Sequence, residues 1–248
     1  MSGHSKWSTI KRAKGAADVK RAQSFTKIAN LISIAAKEGN SGDLESNPKL
    51  RNTLETARKV NMPKENIQRA IDRGLGKLPG QTLEEVSYEG FGPGKVAFFI
   101  EGVTDNRLRT NQEVKYIFDR NGGALGSTAY MFDKYGEVRV EGKGGGLEDE
   151  MLELIDLGAE DVEEYQEDKK QMYLVYVESP ELNTMGNKIT QSGFKVESSE
   201  ITYKPNISVD IQDKEVAQKV IDFTEKIEDL DDIQKVYANF EISEELLT

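Results

Sequence analysis

Eight Lys and Arg residues fall within the first 37 positions, at Lys6, Lys11, Arg12, Lys14, Lys20, Arg21, Lys27 and Lys37, against one acid, Asp18. Among them lies Gly3-His4-Ser5-Lys6-Trp7, which holds the only His and the only Trp of the chain. Cations at this density suit a polyanion, because each one that meets a phosphate releases a condensed counterion whatever the base sequence. An indole in that company can stack on a base or lie against a ribose while Lys6 meets phosphate, and His4 can donate to phosphate, more so when protonated. On this reading Lys6, Lys11, Arg12, Lys14, Lys20 and Lys27 neutralise phosphates and Trp7 stacks. The same residues also fit a solvated tail that Trp7 staples to the fold.

A second basic pair, Arg107 and Arg109, lies in Asp105-Asn106-Arg107-Leu108-Arg109-Thr110, where a strand is expected to run into a helix. Thr110 and Glu113 have capping-box spacing, which would explain part of the run as helix initiation. The two arginines are then left to touch phosphates or ribosomal RNA, or to pair with local carboxylates. Glu65, Arg69 and Arg73 have the spacing of a helix-surface ladder. No segment groups Asn, Gln and Arg as a major-groove recognition helix would. That favours structured RNA or the ribosome as the partner, with DNA open as well.

Other chemistries lack their residues. Cysteine is absent, which removes disulfides, thiolate catalysis and Cys-ligated metals and fits a reducing compartment. One His leaves no His-cluster metal site and no Ser-His-Asp triad on a folded core. Gly90-Phe91-Gly92-Pro93-Gly94-Lys95 departs from Walker A spacing, with Val96 after the Lys, and reads as a turn between strands. Gly142-Lys143-Gly144-Gly145-Gly146 fails GxGxxG at Leu147 and reads as a loop. The acidic runs Glu148–Glu150, Glu160–Glu164 and Glu228–Asp232 read as solvated faces and not as carboxylates converging on a pocket. No GxSxG elbow, HExxH helix or EF-hand loop occurs. The expectation is a non-enzyme with no cofactor and no metal. No apolar run approaches the ~18–20 residues of a membrane span, and no hydrophobic stretch follows the basic start. A cytoplasmic protein without membrane contact is expected, as a monomer.

Positioning these residues requires two kinds of structure. Of 248 residues, positions 1–79 hold 16 Lys/Arg and 7 Asp/Glu, while positions 80–248 hold 17 and 37, so a +9 segment is joined to a −20 body for a net −11. In the basic part, Phe25, Ile28, Leu31, Ile32 and Ala35 form one helical stripe from Asp18 onward, with Lys20 and Lys27 within ~20° of each other on the opposite side. Asn47-Pro48 reads as N-cap and first helical position of a second helix carrying Leu50, Leu54 and Ala57. Pro63 opens a third helix with Ile67, Ala70 and Ile71 inward. Beyond a linker at 77–80, strands alternate with helices. Residues 136–142, 147–158, 161–166, 171–178, 180–193 and 197–204 read as βαββαβ, the order of a ferredoxin-like domain. The flanks supply strands at 84–89 and 95–104, a helix at 110–121, a strand at 206–211, a helix at 213–229 and a strand at 232–241. The expected architecture is α+β and multidomain. A basic three-helix domain (1–79) precedes two ferredoxin-like α/β domains, one (131–205) inserted into the other (80–130 and 206–248).

An ordered set of short motifs runs along essentially the whole chain: Gly3-His4-Ser5-Lys6-Trp7, Phe25-Thr26-Lys27-Ile28, Asn47-Pro48-Lys49-Leu50-Arg51, Tyr88-Glu89-Gly90-Phe91-Gly92-Pro93-Gly94, Asp105-Asn106-Arg107, Gly122-Gly123, Gly158-Ala159-Glu160-Asp161-Val162 and Val236-Tyr237. Together they closely resemble the YebC/PmpR family. The resemblance implies three domains, an N-terminal helical one and two α/β ones with one inserted in the other. It implies a regulator of gene expression, since family members are labelled probable transcriptional regulators and some bind promoter DNA. Others act on translation, among them a mitochondrial activator for a cytochrome oxidase subunit and ribosome-associated bacterial factors. Two positions depart from many relatives: Leu108 replaces an Asn, and residues 124–129 form a shorter loop after Gly122-Gly123. The function expected is a non-enzymatic nucleic-acid-binding regulator, acting on DNA in transcription or on RNA and the ribosome in translation. The alternative is a protein-interaction module that uses its acidic α/β domains.

Overall fold

The computed structural model describes residues 19–79, 82–167 and 169–242, and for residues 19–24 and Pro48 the backbone alone. In chain order the helices are α1 (Val19–Glu38), α2 (Pro48–Lys59), α3 (Lys64–Gly74), α4 (Arg107–Arg120), α5 (Leu147–Asp156), α6 (Leu182–Gln191) and α7 (Lys214–Glu228). The strands are β1 (Glu84–Phe91), β2 (Ala97–Thr104), β3 (Ala124–Leu125), β4 (Phe132–Glu141), β5 (Asp161–Glu167), β6 (Lys170–Glu178), β7 (Lys195–Pro205), β8 (Val209–Ile211), β9 (Ile233–Ala238) and β10 (Phe240–Ile242). These elements fall into two units, one of residues 19–128 with Gln212–Val236, the other of Ala129–Ile211 with residues 237–242.

In the first unit α1, α2 and α3 close a small core of Ile28, Ile32, Ala35, Leu50, Leu54, Ala57, Ala70 and Ile71. Asn47 serves two helices at once. Its Oδ1 accepts from Leu50 N at 3.0 Å as the N-cap of α2, and its Nδ2 donates to Ala35 O at 2.8 Å near the end of α1. Buried and fully partnered, it fixes the angle between the two helices without leaving an orphan polar group. Ser33 Oγ likewise donates to Ala70 O at 2.8 Å, where a Cβ on Gly74 would lie 2.2 Å from Ser33 O, so α1 and α3 touch backbone to backbone. The single apolar stripe expected for α1 is in fact two. Leu31 turns away from the helical core and joins Ile34, Leu83 and Val103 against β2.

The four-stranded sheet of this unit has the order β3-β1-β2-β9. β1 and β2 pair antiparallel from Glu84 opposite Thr104 to Phe91 opposite Ala97, joined by the tight glycine turn that their composition predicts. Phe98 of β2, Phe118 of α4 and Phe223 of α7 pack ring to ring, with centroids 4.8 Å apart for Phe98–Phe223 and 4.9 Å for Phe118–Phe223. In the second unit, β4-α5-β5-β6-α6-β7 builds an antiparallel sheet of order β5-β6-β4-β7. Leu154, Met185 and Ile189 of its helices cover Val138, Val140 and Val175 on one face.

Two expectations are corrected here. The helix expected from residue 110 begins at Arg107, because Asn106 is its N-cap and accepts from Arg109 N at 3.1 Å. Thr110, expected to cap, lies fully buried inside the first turn. The strand expected at 232–241 is broken at Asn239. Its first part, β9, joins β2, while β10 pairs in parallel with β8 as a separate two-stranded sheet. Asn239 makes the break by replacing ladder bonds: its carbonyl accepts from Val209 N at 2.6 Å and its Nδ2 donates to Ile207 O at 2.9 Å.

Gly90 carries a specific burden, since a Cβ there would meet Phe118 Cε1 at 2.5 Å and Ala124 O at 2.6 Å. Gly90→Ala should therefore push Phe118 off its packing and lower stability by about 1–3 kcal/mol. Urea unfolding should show a lower midpoint with an unchanged m-value; an unchanged midpoint would mean the sheet relaxes freely at this point.

Candidate nucleic-acid interface

Of the ten residues expected to contact nucleic acid, His4, Lys6, Trp7, Lys11, Arg12 and Lys14 lie outside the described residues, and Lys20 is placed by its backbone on the first turn of α1. Lys27, Arg107 and Arg109 have defined surroundings, and two of them are already engaged. Lys27 Nζ donates to Glu228 O at 2.5 Å, at the end of α7. This withdraws it from the free row of cations expected along α1. Arg109, although exposed, pairs with two carboxylates. Its Nη2 lies 2.6 Å from Asp232 Oδ2 and 3.1 Å from Asp105 Oδ1. Arg107 stands exposed at the start of α4.

Asp232 is the centre to which Arg109 belongs. It is 8% exposed, and its Oδ2 also accepts from Thr104 Oγ1 at 2.9 Å and Thr110 Oγ1 at 2.6 Å. Its main-chain carbonyl accepts from Val103 N at 2.7 Å. The end of β2, the first turn of α4 and the turn before β9 are thus tied at one carboxylate. Arg73 extends the network, with Nη2 3.6 Å from Asp105 Oδ2 and Nη1 donating to Asn30 Oδ1 at 3.4 Å. Arg73 is therefore not a rung of a helix-surface ladder with Glu65 but a link from α3 to α1 and the β2–α4 junction. A cavity of about 460 Å³ opens beside it, lined among others by Asn30, Arg73, Arg109, Glu113, Asp229 and Asp231. With more carboxylates than guanidiniums on its wall, this cavity repels a phosphate backbone.

The reading of the acidic runs as solvated faces is corrected at three positions, Glu150, Glu163 and Asp232, all buried. Glu150 Oε1 accepts from Lys143 N at 3.0 Å and Gly145 N at 2.7 Å, while Tyr173 Oη donates to Oε2 at 2.9 Å. The glycine loop that resembles a phosphate cradle is filled by the protein's own carboxylate. Glu163 Oε1 lies 2.8 Å from Lys204 Nζ. A signal for Glu150 was present in the sequence: it sits four residues before Leu154, on the inward stripe of α5. Among the described residues no group of three or more His, Cys, Asp or Glu side chains is arranged to hold a metal. None of these described helices is long and apolar enough to cross a membrane.

Two groups of exposed cations without ion pairs among the described residues lie on helices of the first unit. Arg58, Lys64 and Arg69 are exposed on α2 and α3, and Arg107, Lys115 and Arg120 on α4. The sequence names Arg107 and Arg109 here, but with the helix expected from residue 110 both stand before it. With Asn106 as the cap, Arg107, Asn111 and Gln112 are all exposed on one helix.

Burial alone would raise the Asp232 carboxyl, but the bonds from Thr110, Arg109 and Thr104 outweigh it and hold the group below the ordinary Asp range. Asp232→Asn should cost about 1.5–3 kcal/mol at neutral pH, the loss of a charged acceptor shared by three donors. Because the folded carboxyl titrates below the unfolded one, its stabilisation is complete above about pH 4 and fades as pH falls through the folded value. Urea titrations from pH 7 to about pH 3 should show the gap between wild type and variant narrowing only at the acid end. A gap constant across that range would exclude the ionised carboxylate as its source.

Two family models match the chain, that of the TACO1/YebC protein N-terminal domain over residues 5–77 and that of the TACO1/YebC second and third domain over residues 83–240. Proteins named "Probable transcriptional regulatory protein" are similar over the full length. The one from Persephonella marina is 44% identical over 250 residues, covering 100% of this chain and 98% of its own, and one from Thermotoga maritima is 43% identical, covering 98% and 95%. The crystal structure of a conserved hypothetical protein from Aquifex aeolicus superposes with a TM-score of 0.82 at 41% identity, over 94% of this chain and 95% of that one. The chain belongs to the YebC/PmpR family.

Proposed function

We propose that this protein is a non-catalytic, cytoplasmic regulator of gene expression that binds nucleic acid through its basic N-terminal part. The observation that carries this reading is the division of charge, +9 over residues 1–79 against −20 over the remainder. The surroundings of the described residues support it. The helical part closes its own core and leaves Arg58, Lys64 and Arg69 exposed. Asp105 and Asp232 are engaged with arginines and threonines inside the fold, so they do not neutralise those cations. The name carried by the relatives, probable transcriptional regulatory protein, favours the same class of partner.

A one-sided dock follows from this distribution. The basic segment faces the polyanion while the acidic body is repelled by it, which fixes orientation without base-specific contacts. With Lys27 held by Glu228 O, the phosphate contacts expected of the N-terminal part are Lys6, Lys11, Arg12, Lys14 and Lys20, with Trp7 stacking. The strand order β5-β6-β4-β7 supports a ferredoxin-like reading of residues 131–205 as the inserted domain.

Five phosphate contacts predict a log–log slope of affinity against salt near −4.5 on duplex and near −3.5 on single strands. Reversing Lys11, Arg12 and Lys14 to Glu should abolish binding and leave the urea transition of the α/β parts in place. A salt-insensitive complex, or unchanged affinity in the reversed variant, would remove the N-terminal segment from the interface. Sequencing the nucleic acid crosslinked to the protein in cells separates the two settings: promoter fragments would place it in transcription, ribosomal RNA in translation.

A further inference from the structure

Leu108 and Tyr116 stand 76% and 61% exposed on α4, two of the most exposed large apolar side chains among the described residues. With Gln112 they follow at i, i+4 and i+8, so the three lie side by side along the outer face of the helix. Lys115 and Arg120 flank the strip, and neither forms an ion pair among the described residues. Arg120 lies over the Tyr116 ring, its guanidinium carbon 5.4 Å from the centroid, so one face of the ring is covered by a cation and the rest is open. Asp119 is the one acid on the strip. The inner side of the same helix is immobilised, with Val114 and Phe118 fully buried and Thr110 bonded to Asp232.

We propose that this strip of α4 docks an unpaired stretch of RNA, one base stacking on Tyr116 while Lys115 and Arg120 meet the neighbouring phosphates. The proposal rests on the nucleic-acid reading above and adds a second contact surface to it. Charge complementarity selects the occupant. Two unpaired cations beside an open aromatic ring match a base and its phosphates, and Gln112 offers an amide to a base edge. A protein helix laid in the same place would require a longer apolar seam than Leu108 and Tyr116 supply. An exposed ring also finds no free base face in an intact duplex, which makes the occupant single-stranded.

The test uses the full chain with a uridine-rich RNA of about 12 nucleotides, within the usual site size, and a DNA duplex of similar length, read by fluorescence anisotropy. Tyr116→Ala should weaken RNA binding roughly 5- to 150-fold, the loss of one base–aromatic stack, and leave duplex binding alone. Tyr116→Phe should retain wild-type affinity. The pair Lys115→Glu and Arg120→Glu should flatten the salt slope on RNA by about 1.4, two single-strand phosphate contacts. Since both positions are exposed, urea midpoints should match wild type and separate binding from folding. RNA affinity unchanged in Tyr116→Ala, or an equal loss on RNA and duplex, overturns the proposal. If Tyr116→Ala is silent while reversal of Lys11, Arg12 and Lys14 abolishes binding, the nucleic-acid reading stands and α4 is not its surface. If the wild type binds neither probe, both fall together.

Discussion

A carboxylate removed from water destabilises a fold unless donors replace its hydration, and Asp232 has three of them on a single oxygen. The donors come from elements distant in sequence, the end of β2 and the first turn of α4, while Asp232 itself precedes β9. No two of these segments can shift without leaving a buried charge or hydroxyl unpaired. Asn106 caps α4 only in this arrangement, since its own N–H donates to Thr104 Oγ1 at 2.9 Å, in the same network. The position of α4, with the exposed strip on its outer side, therefore depends on a residue more than a hundred positions away.

The same device recurs elsewhere. Asn47 joins α1 to α2, Glu150 fills the backbone of a glycine loop, and Asn239 divides a strand. In each case a buried polar side chain takes the place of a backbone or water partner, and its cost is offset by satisfying groups that would otherwise be orphaned. A chain whose hydrophobic content is 37% has modest cores, and such junctions define angles and breaks that small apolar clusters leave loose.

These junctions also sort the charges. Carboxylates of Asp105, Glu150, Glu163 and Asp232 are consumed inside each unit, and Lys27, Arg73 and Arg109 are consumed with or beside them. Cations that the fold leaves unpaired, Arg58, Lys64 and Arg69 on the helical part and Lys115 and Arg120 on the outer side of α4, stay exposed beside a few acids such as Glu65 and Asp119. For the proposed nucleic-acid partner, the available surface is defined by subtraction: a basic residue in the sequence is open to a polyanion only where the fold has no use for it.

Helix and strand periodicity, the Asn47-Pro48 cap, the glycine turn after β1 and the division of charge were all legible from residue types and spacing, because each depends on neighbours within a few positions. The start of α4 was misread, since Thr110 has the spacing of a cap and only the tertiary fold offers it Asp232 as a better acceptor. The availability of Lys27 and Arg109 was not legible either, because their partners Glu228 and Asp232 lie 201 and 123 residues away. Local sequence determined which elements form and where positive charge collects. The choice of which charges are buried, paired or left for a ligand was made by contacts across the fold, since the pairing of ions is governed by distance in space and not along the chain.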